Sequence, residues 1–349
     1  MAESLVLSID GMGGDHAPDI VVEGVDIAAR RSADTRYLIH GDEARINALL
    51  ERHPHAKAVS QVRAAEKTIG MELKASQALR QGKGSSLWNS IQSVETGEAN
   101  AVVSAGNTGA LFAIAMFRLR KMEGIHRPAL ATRWPTMKGD YTVMLDVGAN
   151  VEADAEQLVE FAIMGEAFQR AVSGKERPKV ALLNVGAEDQ KGHEEIRNAA
   201  RLIRETGVDM SFHGFVEGDD IAKGTVDVVV TDGFTGNIAL KTGEGTARLV
   251  GQLLREALTG GVLARLGALI AYPALKQLRT RMDPGTFNGA LFLGLNGLVV
   301  KSHGSANGRG YAAAIGVAEK LARSHYREEI AHNIARLGQA AAVKVEDAG

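Results

Sequence analysis

The chain has 349 residues, 45% of them hydrophobic and 23% charged, with a formal net charge of -2. That is ample apolar material for one elaborate domain or two modest ones, and the near-neutral balance with 5% aromatic residues argues against a nucleic-acid partner, which needs a basic face and stacking platforms. The absence of cysteine excludes a disulfide framework, a thiolate nucleophile and Cys-ligated zinc, and MAESLVLSID is too short and too acidic for a signal peptide, so a cytoplasmic location is expected.

In chain order, short β-branched runs predict strands at 4–10 (SLVLSID), 36–42 (RYLIHGD), 100–106, 141–148, 179–186, 226–233 and 297–304. Helix-like segments follow most of them, such as LFAIAMFRLRKM, EQLVEFAIMGEAFQRAV and AAAIGVAEKLARSHY. This alternation predicts an α/β fold with a doubly wound, mostly parallel sheet and helices on both faces. Residues 244–282 break the pattern, being almost all helix formers interrupted at Gly260-Gly261 and Pro273. They predict a helical projection within a single catalytic domain spanning 1–349.

Apolar positions recur there at three- and four-residue steps, through Leu249, Leu253 and Ala257 and then Val262, Leu263, Leu266, Leu269 and Ile270. Arg255, Arg265, Lys276, Arg279 and Arg281 outnumber Glu244 and Glu256. Such stripes suit a dimer helix bundle, an interfacial contact with anionic lipid, or an ordinary buried helix pair. No run reaches the ~20 apolar residues of a spanning helix.

The 40 glycines exceed the usual ~7% and gather where strands end. Six loops follow predicted strands: DGMGGDHAP (10–18), SAGNTGA (104–110), DVGANVEA (146–153), NVGAEDQKGHEE (184–195), DGFTGNIALK (232–241) and HGSANGRGY (303–311). Ligands of open α/β sheets bind beyond the carboxyl ends of strands, where the next helix presents free N–H groups. Convergence of these loops predicts one crevice for a small oxyanion, lined by Gly13, Gly14, Ser104, Gly106, Asn107, Thr108, Asn150, Thr235 and Gly236. For Asn107 the alternative is a left-handed turn residue.

His16 and His303 are candidate proton handlers, since imidazole titrates near neutral pH, or else neutral histidines bonding a neighbouring loop. The first loop lacks the third glycine of G-x-G-x-x-G and a ribose-binding acid about twenty residues on, and no loop ends in G-K-[ST]. Without H-x-x-x-H or H-E-x-x-H spacing, neither a metal site nor a cofactor is expected.

Seven motifs in order, DGMGGDHAP, VVSAGNTGAL, RPAL, LDVGAN, the E-x-x-K-G of GAEDQKGHEE, DGFTGNIALKT and KSHGSA, make nearly the whole chain resemble the bacterial phosphate acyltransferases of phospholipid synthesis. The resemblance implies a Rossmann-like, isocitrate-dehydrogenase-like architecture and transfer of a fatty acyl group from acyl carrier protein to inorganic phosphate. It also implies that Lys191 and Asn237 act at the phosphate end of the acyl phosphate. On its own residues, the alternative for Lys191 is a solvated lysine paired with Glu188 or Asp189. A homodimer peripheral to the inner face of the cell membrane is implied, handing product to a membrane glycerol-3-phosphate acyltransferase. For the acidic carrier, the run Arg118, Arg120, Lys121 and Arg127 is the expected basic contact. A short-chain phosphotransacetylase, a nicotinamide-dependent decarboxylating dehydrogenase and a non-catalytic membrane scaffold are the alternatives.

Overall fold

The computed structural model describes residues 5–276 and 288–347. The N-terminal part runs β1 (Val6–Asp10), α1 (Asp19–Ala29), β2 (Arg36–Gly41), α2 (Glu43–Leu50), α3 (Pro54–Val59), β3 (Ser60–Ala64), α4 (Ala75–Gln81), α5 (Ser86–Glu95), β4 (Ala101–Ser104) and α6 (Thr108–Leu119). The middle part adds β5 (Ala129–Pro135), β6 (Tyr141–Leu145), α7 (Ala155–Ser173), β7 (Lys179–Leu183), α8 (Glu194–Glu205), β8 (Ser211–Val216), α9 (Gly218–Lys223) and β9 (Val228–Val230). Then come α10 (Gly233–Thr259), α11 (Val262–Ile270), β10 (Ala290–Leu293), β11 (Leu298–Lys301), α12 (Gly308–Ala322) and α13 (Tyr326–Asp347).

Among the described residues eleven strands form one sheet in the order β3-β2-β1-β4-β11-β10-β5-β6-β9-β7-β8. Pairing is parallel except at β11-β10, β10-β5 and β5-β6. The seven predicted strands are all present. The four that periodicity missed are β3, a polar edge strand, β8, an edge strand interrupted by His213 and Gly214, β5, which ends in Pro135, and β10, a four-residue run among glycines and asparagines.

Central strands are buried on both faces, which is why they read as continuous apolar runs. Alternate residues feed two cores: Ile9, Val103 and Val300 pack with α1, α7 and α12, while Val102, Val229 and Val299 pack with α5 and α6. Asp10, Ser104 and Lys301 follow residues of the first core, so they point to the α5–α6 face. Helix starts are fixed by side-chain caps: Asn107 for α6, Asp154 with Gln157 for α7, Asp232 for α10 and Asn307 for α12.

One expectation changes here. Residues 233–241, expected as a loop, form the first turns of α10, because Asp232 caps the backbone N–H of Thr235 at 2.8 Å and helix runs unbroken to Thr259. The helix formers expected from residue 244 onward are the outer part of α10 plus α11, and residues 277–282, with Arg279 and Arg281, lie outside the described residues.

Candidate functional site

The antiparallel pairings around β10 and β5 reverse the chain, so β6, β9 and β7 run opposite to β1, β4 and β11. The six glycine loops consequently fall into two groups of three rather than one row. Helix α10 joins them. It leaves the end of β9 beside the second group, crosses Trp134 of β5 at Gly243, and brings Lys241 and Glu244 into electrostatic range of His303. Asn237 and Lys241 stand one turn apart on one face of α10, a rise of about 6 Å.

In the first group three strand-end residues form a buried polar row: Asp10 on β1, Ser104 on β4 and Lys301 on β11. The Ser104 hydroxyl donates to Asp10 at 2.7 Å and accepts the N–H of Gly106 at 3.0 Å. Burial raises the Asp10 pKa against the hydrogen bonds from Ser86, Ser104 and Met12 and the charge of Lys301. Lys301 donates to the carbonyls of Ala105 and Ser302, and burial lowers its pKa to about 8, against the attraction of Asp10 and Asp15.

The glycines let the loops above this row touch backbone to backbone. A Cβ on Gly13 would lie 2.7 Å from the Gly106 nitrogen, and Gly14, at φ +106°, rests against Ala105 and the Gly304 carbonyl. The N–H of Asp15 donates to that carbonyl at 2.9 Å. Asn107 caps α6 through Oδ1 and donates through Nδ2 to the carbonyls of Met71 and Leu73 at 2.6 and 2.8 Å. Its φ is -54°, so the left-handed alternative is not the one adopted. Thr108 is exposed at the first position of α6, and His16 is exposed in its loop.

His303 Nδ1 accepts from the backbone N–H of Ser305 at 3.3 Å and faces its hydroxyl at 2.9 Å, which leaves Nε2 to carry the proton of the neutral ring. Partial burial lowers its pKa; Lys301 and Lys241 act in the same direction, while Glu244 and Asp15 oppose.

The second group is organised by Asp146. Its carboxylate accepts from the N–H groups of Leu130, Gly148, Ala149 and Asn150 and from the Asn150 amide at 2.7 to 3.1 Å. Burial still pushes its pKa up. Asn150 also donates to the Pro128 carbonyl at 2.8 Å, while its Oδ1 is buried without a partner among the described residues. Gly236 packs flat on the Asp146 carbonyl, and Thr235 spends its N–H and hydroxyl on Asp232.

Asn237 differs from these committed groups. It is exposed beside Gly148, and its amide makes no hydrogen bond among the described residues. Near it on α10 and in the Asp146 loop, apolar side chains are open to solvent: Phe234 at 62%, Ile238 at 49% and Val151 at 72% exposure. The Phe234 N–H donates to the Val151 carbonyl, tying the start of α10 to the Asp146 loop. Sequence reasoning missed Lys301, Lys241 and these apolar side chains. A buried lysine inside KSHG and exposed apolar residues at α10 spacing were the available signals.

Lys191 folds back over Gly186 and pairs with Glu188 at 2.9 Å, both about half exposed, while Asp189 pairs with Arg204. In the basic run at the end of α6, Arg118 in the last turn pairs with Glu95 and lies over Trp88, so it is not a free cation, whereas Arg120, Lys121 and Arg127 are exposed. On α11, Val262, Leu263, Leu266, Leu269 and Ile270 are 53 to 84% exposed. No described helix is long and apolar enough to cross a membrane.

The family model described as fatty acid synthesis protein matches residues 5–329. A phosphate acyltransferase of Caulobacter vibrioides is 60% identical over 348 residues, covering 99% of this chain and 96% of that protein. Another, from Maricaulis maris, is 55% identical and covers 94% of each. A phosphotransacetylase structure from Streptococcus pyogenes aligns with a TM-score of 0.59 at 18% identity, covering 92% of this chain and 95% of that one, a likeness of fold.

Proposed function

The chain belongs to the fatty acid synthesis protein family and, within it, to the phosphate acyltransferases, and from that premise we propose that it transfers a fatty acyl group from an acyl carrier protein thioester to inorganic phosphate. The product is an acyl phosphate for phospholipid synthesis. The observation that carries this reading is the uncommitted Asn237 amide beside the exposed apolar side chains of Phe234, Ile238 and Val151. A polar donor next to exposed apolar surface suits a ligand with an oxyanion at one end and a hydrocarbon chain at the other.

In the proposed reaction a phosphate oxygen attacks the thioester carbonyl carbon, and the carbonyl becomes a tetrahedral oxyanion. Collapse breaks the C–S bond and releases thiolate, which takes up a proton. Thiolate is a good leaving group, so the protein's part is to position phosphate and stabilise developing negative charge. Asn237 donates to that charge. Lys191 leaves Glu188 to set its ammonium against phosphate, an exchange made cheap by the exposure of the pair.

Gly13, Gly14, Ser104, Gly106, Asn107, Thr108, Asn150, Thr235 and Gly236 frame the phosphate, some through backbone N–H groups and some by holding the loops. His303, with its proton on Nε2, and His16 serve the thiolate proton. The outer part of α10 pairs two subunits, and α11 lays its exposed apolar face on the anionic inner surface of the cell membrane, with Arg265 beside it. There the labile product passes to a membrane glycerol-3-phosphate acyltransferase.

Purified protein mixed with acyl-acyl-carrier-protein and phosphate should release carrier thiol only when phosphate is present. Absence of release, or release independent of phosphate, refutes the reading.

A further inference from the structure

Residues 66–83 join β3 to α5 along the border of the first loop group, and none of their four cations, Lys67, Lys74, Arg80 and Lys83, is ion-paired among the described residues. All four are exposed, against two exposed carboxylates, Glu66 and Glu72. The segment borders an open surface pocket of about 440 Å³ lined by Lys67, Ile69, Leu73, Gln81 and Ser85 among others. That volume lies in the ~300–1,000 Å³ range of small-molecule sites, and the lining mixes apolar side chains with hydroxyl, amide and ammonium groups.

The pocket is tied to the candidate site on three sides. Asn107 holds the carbonyls of Met71 and Leu73. Ser85 precedes Ser86, which bonds Asp10 in the buried row, and the Ser86 N–H donates to the Lys67 carbonyl. The Met71 methyl reaches Gly304, next to His303. The pocket thus borders the first loop group, at Asn107 and beside His303.

We propose that residues 67–83 form the docking surface for the carrier, with the cations facing its acidic surface and the pocket receiving the pantetheine arm that bears the thioester. This rests on the acyl transfer proposed above. It places the carrier on a different surface from the run at the end of α6, where Arg118 is already held by Glu95. Charge complementarity favours this occupant: an acidic protein meets unpaired cations, and the arm's amides and hydroxyl meet the polar part of the lining.

The test is a triple variant, Lys74→Glu, Arg80→Glu and Lys83→Glu, assayed beside an Arg120→Glu, Lys121→Glu variant. Each is given a carrier-borne acyl thioester and the same acyl group on free pantetheine, after a melting curve confirms folding. The triple variant should raise KM for the carrier substrate about ten-fold and flatten its salt dependence, leaving the free thioester unchanged. Gln81→Trp, which fills the pocket, should raise KM for both substrates. An unchanged carrier KM in the triple variant overturns the proposal, as does an equal rise for both substrates in that variant or a loss seen only with Arg120 and Lys121. Failure of the wild-type protein to use either thioester would instead sink the acyl-transfer reading, so the two failures are distinct.

Discussion

Gly236→Ala tests whether the first turn of α10 must lie against the Asp146 loop. A methyl there would run into the Asp146 carbonyl oxygen, well inside van der Waals contact, and meet Thr231 Cγ2 at 3.0 Å. The neighbours are backbone and a β-branched side chain, so relief requires the helix start to move by on the order of 1 Å. Overpacking of this kind costs about 1–3 kcal/mol, and a 1 Å misplacement of a reacting group can cost ~100-fold in rate. The helix start carries Asn237, so both penalties should appear together. Gly245→Ala is the control, in the same helix with nothing within 4 Å of its added Cβ; it should gain roughly 1 kcal/mol from helix propensity and keep its activity. Thermal unfolding and phosphate-dependent thiol release measure the two effects. A Gly236→Ala protein with wild-type melting and wild-type kcat/KM would refute the close packing of α10 on the site.

Lys191→Ala and Asn237→Ala should each fold normally and lose about 100-fold or more in kcat/KM for thioester phosphorolysis; near-wild-type turnover in either removes that residue from the mechanism. Leu266→Asp with Ile270→Asp should abolish binding to anionic vesicles while leaving soluble phosphorolysis intact, as read by vesicle sedimentation with the oligomeric state checked by light scattering. A variant that stays dimeric and still sediments would show that α11 is not the membrane contact. Glu166 is buried on α7, and burial lifts its pKa from 4.5 to about 7 despite Arg170. Its folded form holds the proton more tightly than the unfolded chain, so its stabilisation is complete below pH 4.5 and is lost as pH rises toward 7, at most about 3 kcal/mol. Glu166→Gln should remove that slope from denaturant unfolding measured across pH 5 to 7.5.

The sheet was legible in the sequence wherever a strand is buried on both faces, because VLSID, AVVS or VALL reads as an apolar run ending in a glycine turn. It was illegible at β5 and β10, which lie among prolines, glycines and polar residues and owe their strand form to neighbours already in place. Those two strands carry the reversal of direction, so the division of the six loops into two groups was hidden with them. The glycines were readable as close-approach positions, and Gly13 against Gly106 and Gly236 against Asp146 are such contacts. Lys301 was overlooked because burial, which gives it its character, is a property of the three-strand row and not of its own neighbours in sequence. DGFTGN looked like a loop because its glycines suggest one, yet Asp232 caps a helix through them.

The position of β11 has a consequence for how the chain is made. Val299 lies between Val102 of β4 and the β10 strand, so the strand that closes the N-terminal part of the sheet is synthesised almost 200 residues after its partner. Until residues 298–301 leave the ribosome, β4 presents an open apolar edge, a template for wrong pairing. The late segment also supplies Lys301 and His303, so a nascent or cleaved chain lacking it has no finished first loop group. Splitting the gene between α11 and β10 and mixing the two pieces therefore asks whether the early part can wait for its missing strand.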